Sequence, residues 1–199
     1  RLAPESPFPA APEDAYRAFC WVYENAEALG IDGGKLAVMG DSAGASLSAV
    51  VAQLTRDRKG PALRLQILCY APAGALDLNE TQSMKDFSHG GYVLSQPQLD
   101  WFYAQYLRKG ADENDIRLNP GRAKDLSGLA PALCYTAEFD PLRDDGEAYA
   151  ALLSQAGVPV KLRRVSGMMH GFLMLWERFD TGKATLEEIA GELKAAYQG

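Results

Sequence analysis

Apolar side chains fall along this chain in two alternating rhythms. Ala15, Phe19, Val22 and Ala26 recur at helical spacing and predict a helix over 12–29. Pro12 suits its first turn and Gly30 its stop. The short run 35–39 reads as a buried strand. Leu47, Val50, Val51 and Leu54 then return to the i, i+3, i+4, i+7 spacing of a helix packed on a sheet, over 45–54. Residues 65–71 are continuously apolar, as in a parallel strand covered on both faces. Further on, 132–137 predicts a third strand and 146–156 a helix that Gly157 ends. Residues 158–165 predict a fourth strand, where Val158, Val160 and Leu162 alternate with Lys161 and Arg163 as on an exposed edge. Thr185 and Glu188 have the spacing of a capping box, predicting a last helix that buries Leu186, Ile189, Leu193 and Tyr197.

Between the second and third strands, about 72–131 has no sustained rhythm. It predicts one helix, 98–107, whose Trp101, Phe102, Tyr103 and Tyr106 read as a core stripe rather than a substrate wall. A stretch of that length inside a domain reads as a functional loop or an insert. Strands alternating with helices predict an α/β fold, a mostly parallel sheet with helices on both faces. All 199 residues read as one catalytic domain carrying the insert at about 72–131. In such a sheet, sites form at the carboxyl ends of the strands.

Charge and cysteine usage narrow the partners. Twenty basic against 26 acidic residues give a net charge of −6, with no basic groove for nucleic acid. No apolar run approaches the roughly 20 residues of a membrane helix. No signal-peptide pattern opens the chain, so a cytoplasmic location is expected. Cys20, Cys69 and Cys134 lie far apart in apolar stretches, an odd set that reads as buried thiols in a reducing compartment. No Cys or His has ligand-spaced neighbours, so no metal is expected.

The chemistry concentrates at Gly40-Asp41-Ser42-Ala43-Gly44. This is G-x-S-x-G between a strand and a helix, the setting of a nucleophile elbow. The expectation is a strained Ser42 with its hydroxyl projecting from the sheet. Gly40 and Gly44 stay small because strand end and helix start nearly touch. The Ala43 N–H, opening a helix, is placed to bind an oxyanion. A serine hydroxyl needs a base, and the base needs a group to orient it. There are two histidines. His170 follows the fourth strand, on the rim of Ser42. His89, in Ser88-His89-Gly90-Gly91, comes after the elbow, whereas an oxyanion loop should precede it, so it reads as a turn. Asp140 follows the third strand and is the leading acid. It could instead cap the next helix, leaving Asp144 or Asp145 as the acid. The order Ser, Asp, His is that of α/β-hydrolases.

These residues carry a family resemblance. Arg1-Leu2-Ala3-Pro4-Glu5, Phe8-Pro9-Ala10, Glu13-Asp14, the elbow, Asp140-Pro141-Leu142-Arg143-Asp144 and His170-Gly171-Phe172 together resemble the hormone-sensitive-lipase-like branch of the α/β-hydrolases. The chain is similar throughout its length to the bacterial carboxylesterases whose elbow reads G-D-S-A-G. The resemblance implies a triad of Ser42, Asp140 and His170. It implies hydrolysis of short- to medium-chain carboxylic esters, small molecules, without metal or cofactor. Ala45 stands where the family usually has a further glycine.

The family's H-G-G-G-type oxyanion loop, N-terminal cap and first sheet strands have no counterpart in this sequence. The chain opens on Arg1 rather than methionine. The expectation is therefore a truncated or cleaved esterase, held by a complementing N-terminal fragment or self-associated as a homo-oligomer. The competing expectations are an impaired esterase fragment and a non-catalytic binder on the same fold. A protease is a further reading of the same triad.

Overall fold

In the computed structural model, which describes residues 1–108 and 111–198, four parallel strands pair in chain order. They are β1 (Ala37–Asp41), β2 (Leu65–Cys69), β3 (Ala132–Phe139) and β4 (Val160–Met169). β1 pairs with β2 from Ala37 opposite Leu65 to Asp41 opposite Cys69, and Leu68 faces Cys134 on β3. Because every strand runs the same way, Ser42, Tyr70, Asp140 and His170 all leave the sheet at one rim. Among the described residues the outer edge of β1 carries no strand.

Alternation along the strands splits the core into two layers. Leu68 and Cys134 point to one face, beneath Ala45 and Ala49 of α3 (Ala43–Asp57) and Tyr149 and Leu153 of α6 (Arg143–Gln155). Ile67, Leu133 and Tyr135 point to the other, against Phe172 and Leu173 of the turn after β4 and Ile189 of α7 (Asp180–Gln198). α1 (Ala10–Glu24) covers the outside of α3 through Phe19 and Val51. Cys69 and Cys134 are buried free thiols, each pushed up to about 12 by burial, and Cys20 is free and half-buried. No helix among the described residues is long and apolar enough to cross a membrane.

Five expectations shift. The first strand is half-buried rather than buried, with Met39 exposed. The predicted first helix is two, α1 and the single turn α2 (Ala26–Leu29), which meet at Asn25, whose backbone N–H and side-chain amide both donate to the Trp21 carbonyl, at 3.0 and 2.8 Å. Gly30 then closes α2 with φ 68. The insert holds two α-helices rather than one, α4 (Gln82–Phe87) and α5 (Gln96–Tyr106). The aromatic stripe is not core. Only Leu99 of α5 is buried, in a small cluster with Met84, Leu94 and Leu142, whereas Trp101 is 61% exposed and Phe102 52%. Finally, α7 starts at Asp180, so Thr185 caps nothing. Its hydroxyl donates to the Thr181 carbonyl one turn back, and Glu188 instead accepts from the Tyr135 hydroxyl. Of that helix's expected core residues, Ile189 is buried and Leu186 and Leu193 pack partly against it.

Candidate active site

One residue, Ser42, makes the whole turn from β1 to α3, with φ 53 and ψ −125. For a non-glycine residue this backbone is strained by about 1–3 kcal/mol. Backbone hydrogen bonds hold it there. The Ser42 N–H donates to the Cys69 carbonyl at 2.9 Å, and the Ser42 carbonyl accepts from Ala45 N–H at 2.9 Å. Only one of the two elbow glycines is sterically demanded. A Cβ on Gly40 would run into the Gly44 carbonyl, while a Cβ on Gly44 would meet nothing within 4 Å. The expectation that both must be small is therefore corrected to Gly40 alone. The Ala45 methyl is fully buried in the core beneath α3.

The acid and base arrive by register. β3 and β4 pair regularly up to Ala137 opposite Val165, after which Phe139 faces Met169. The shift of two residues on β4 is a bulge. At its crest Gly167 has φ 74, and the Glu138 carboxylate accepts from Gly167 N–H at 2.7 Å and from the Ser166 hydroxyl at 2.8 Å. Phe139 and Met169 being opposite, the next residues on each strand, Asp140 and His170, come out side by side.

His170 Nδ1 lies 2.8 Å from Asp140 Oδ2, and His170 Nε2 lies 2.8 Å from Ser42 Oγ. Asp140 is fully buried and His170 nearly so. The other Asp140 oxygen accepts from Leu142 N–H at 2.9 Å, so the carboxylate cannot swing away. The competing carboxylates are engaged elsewhere. Asp144 accepts from Ser83 N–H at 2.8 Å and pairs with Arg143. Asp145 is fully buried and accepts from the N–H groups of Ala73, Gly74 and Leu76 at 2.6, 3.0 and 2.8 Å. Burial pushes its carboxyl up, and those N–H groups pull it partly back. Asp145 thus anchors the loop leaving β2. His89 is exposed in a turn of the insert.

The Ala43 N–H belongs to the first residue of α3 and has no acceptor within the helix. It stands at the positive end of the helix dipole beside Ser42. Among the described residues no group of three or more His, Cys, Asp or Glu side chains could hold a metal ion. A hollow of about 340 Å³ beside Cys20, Tyr23 and Lys59 shares no residue with this site.

Sequence reasoning passed over Tyr70. It is buried at the end of β2 with φ 43, and its ring meets the imidazole of His170 edge-on with centroids 5.0 Å apart. An aromatic residue closing an apolar strand gives no signal of a neighbour 100 residues on. A periodicity reading treats it as core.

Comparison with known proteins places this chain among relatives. A family model described as alpha/beta hydrolase fold matches residues 1–174. The carboxylic ester hydrolase LipN of Mycobacterium tuberculosis is 47% identical over 201 aligned positions, 98% of this chain and 53% of that protein. The ethyl acetate hydrolase of Pseudomonas putida is 44% identical over 176 positions, 88% of this chain and 54% of that protein. The solved esterase of Pyrobaculum calidifontis superposes with a TM-score of 0.93 at 43% identity, over 98% of this chain and 63% of its own. The chain spans about half the length of the curated relatives it matches.

Proposed function

The chain belongs to the α/β-hydrolase family, and on that premise we propose that its protein hydrolyses short- to medium-chain carboxylic esters through Ser42, His170 and Asp140. The supporting observation is the unbroken line of hydrogen bonds, 2.8 Å from Asp140 Oδ2 to His170 Nδ1 and 2.8 Å from His170 Nε2 to Ser42 Oγ. Relatives named as a carboxylic ester hydrolase and an ethyl acetate hydrolase supply the bond type.

In this reading Asp140 accepts a hydrogen bond from Nδ1–H, which keeps the proton on Nδ1 and leaves Nε2 free as a base. His170 removes the hydroxyl proton as Ser42 Oγ attacks the ester carbonyl. Negative charge builds on the carbonyl oxygen, where the Ala43 N–H meets it. His170 returns the proton to the departing alcohol, leaving the acyl group on Ser42. Water, deprotonated by the same imidazole, then releases the acid. The strained backbone at Ser42 keeps the hydroxyl at the rim throughout. Free buried thiols fit a reducing, cytoplasmic setting.

Hydrolysis of p-nitrophenyl esters of increasing acyl length tests the reading. Acetate to octanoate should be turned over, with Ser42→Ala reducing the rate to background. Full activity in Ser42→Ala would overturn it. A binder without catalysis would show no turnover of any ester by the unaltered protein.

A further inference from the structure

Tyr70 holds a backbone conformation that a bulky aromatic residue reaches only under constraint, φ 43 directly after β2. Its N–H donates to the Tyr135 carbonyl at 2.6 Å, so the residue stays fastened to the sheet. The side chain is buried and makes three contacts that matter. Its hydroxyl donates to Asp41 Oδ2 at 3.3 Å. Its ring stands edge-on to the His170 imidazole, at 64° between planes, and leans on Phe172 at 5.6 Å. Asp41 immediately precedes the nucleophile, and Phe172 lies in the short turn after the base. One side chain therefore touches both segments, whose reacting residues are 128 positions apart.

Phenylalanine would fill the same ring volume, so the hydroxyl is the part that packing alone does not explain. Burial holds the phenol far above its ordinary range and keeps it a donor to Asp41. Non-glycine residues in such backbone conformations cluster where strain serves a site.

We propose that Tyr70 is a positioning residue for the ester hydrolysis proposed above. Its hydroxyl holds the elbow at Asp41 while its ring braces the imidazole and the turn at Phe172, so that the bond between Ser42 and His170 stays short. The inference rests on that esterase reading and adds a residue to it.

The test is a double-mutant cycle in the intact protein, with p-nitrophenyl butyrate as substrate. Tyr70→Phe should lower kcat about tenfold while KM stays within about twofold, because the substrate is still bound but the base is less well aimed. Asp41→Ala should give a similar loss, and the double variant should lose no more than the worse single one. The rate at which a fluorophosphonate captures Ser42 should fall in parallel. A Tyr70→Phe protein with a lower melting temperature but kcat within about twofold of the parent would make Tyr70 merely structural and overturn the proposal. Independent, multiplying losses would overturn the tie. If Tyr70→Phe does not fold, Asp41→Ala decides, and an unchanged kcat there overturns it. Ser42→Ala separates the two layers. Retained activity in Ser42→Ala sinks the esterase reading, whereas its loss beside a silent Tyr70→Phe sinks this proposal alone.

Discussion

Gly40 and the backbone of Gly44 are in contact across the elbow. A Cβ on Gly40 would stand 2.6 Å from the Ala45 nitrogen and closer still to the Gly44 carbonyl. The last strand residue but one and the first helical turn therefore fit together only when residue 40 has no side chain. Gly40→Ala should force the turn open, displace Ser42 and cut kcat by about a hundredfold or more. Gly44→Ala faces open space inside a helix and should be tolerated, with a gain of up to about 1 kcal/mol from helix propensity. Thermal unfolding and ester kinetics on the two variants check the contrast. Equal tolerance at both positions would show that the elbow does not require the contact.

Asp140→Asn tests the orienting role. The amide fits the same space and can still bond Leu142 N–H, so folding should survive. The imidazole tautomer should be wrong, and kcat should fall by about four orders of magnitude. Asp144→Asn, whose carboxylate serves Ser83 and Arg143, should keep kcat within about tenfold of the parent. Kinetics on both, alongside melting temperatures, separate chemistry from folding.

The bulge on β4 should matter as much as the residues it delivers. Gly167 has φ 74, a conformation a β-branched residue resists. Gly167→Val should relax the bulge toward regular pairing and carry His170 away from Asp140. The expected result is a fall in kcat of about a hundredfold with an intact circular dichroism spectrum. Glu138→Ala, which removes the acceptor of the Gly167 N–H, should produce a smaller loss in the same direction.

Acid sensitivity should trace partly to Glu13. Arg58 and Arg117 bond its carboxylate at 2.8 and 3.1 Å and hold its pKa down from 4.5 to about 2. A carboxyl with a lowered folded pKa stabilises the fold above its unfolded value. That contribution is complete above about pH 4.5 and is lost as pH falls toward about 2. Chemical denaturation at a series of pH values should show Glu13→Gln less stable near neutrality and flatter through that window. A curve parallel to the parent's would remove Glu13 from the account. The pair is partly exposed, so raised salt should shrink the difference.

How much of this was legible from residues alone differs from element to element. The strands and helices around the sheet follow from periodicity, because burial on a sheet leaves a plain apolar signature in Leu65–Cys69 and Val50–Leu54. The elbow was legible because Gly40 and Ser42 obey a local steric rule. Proximity of Asp140 to His170 was suggested by chain order, but the means was not. The bulge depends on Glu138 meeting Gly167 across two strands, and no spacing along one segment reports such a bond. Thr185 misled because a hydroxyl that can cap a helix can equally bond back into one. Trp101 and Phe102 misled because aromatic side chains signal burial only when something lies opposite, and α5 buries Leu99 alone. Tyr70 was invisible for the converse reason, an apolar-looking position whose hydroxyl does the work.

The central claim is that Ser42 is made nucleophilic by His170 and Asp140. Fluorophosphonate labelling of the intact protein, with the adduct located by peptide mass spectrometry, tests it most directly. The account predicts a single adduct on the Ser42 peptide, absent in Ser42→Ala and formed at least about a hundredfold more slowly in His170→Ala. No adduct, or one that forms as fast without the imidazole or on another serine, would contradict it.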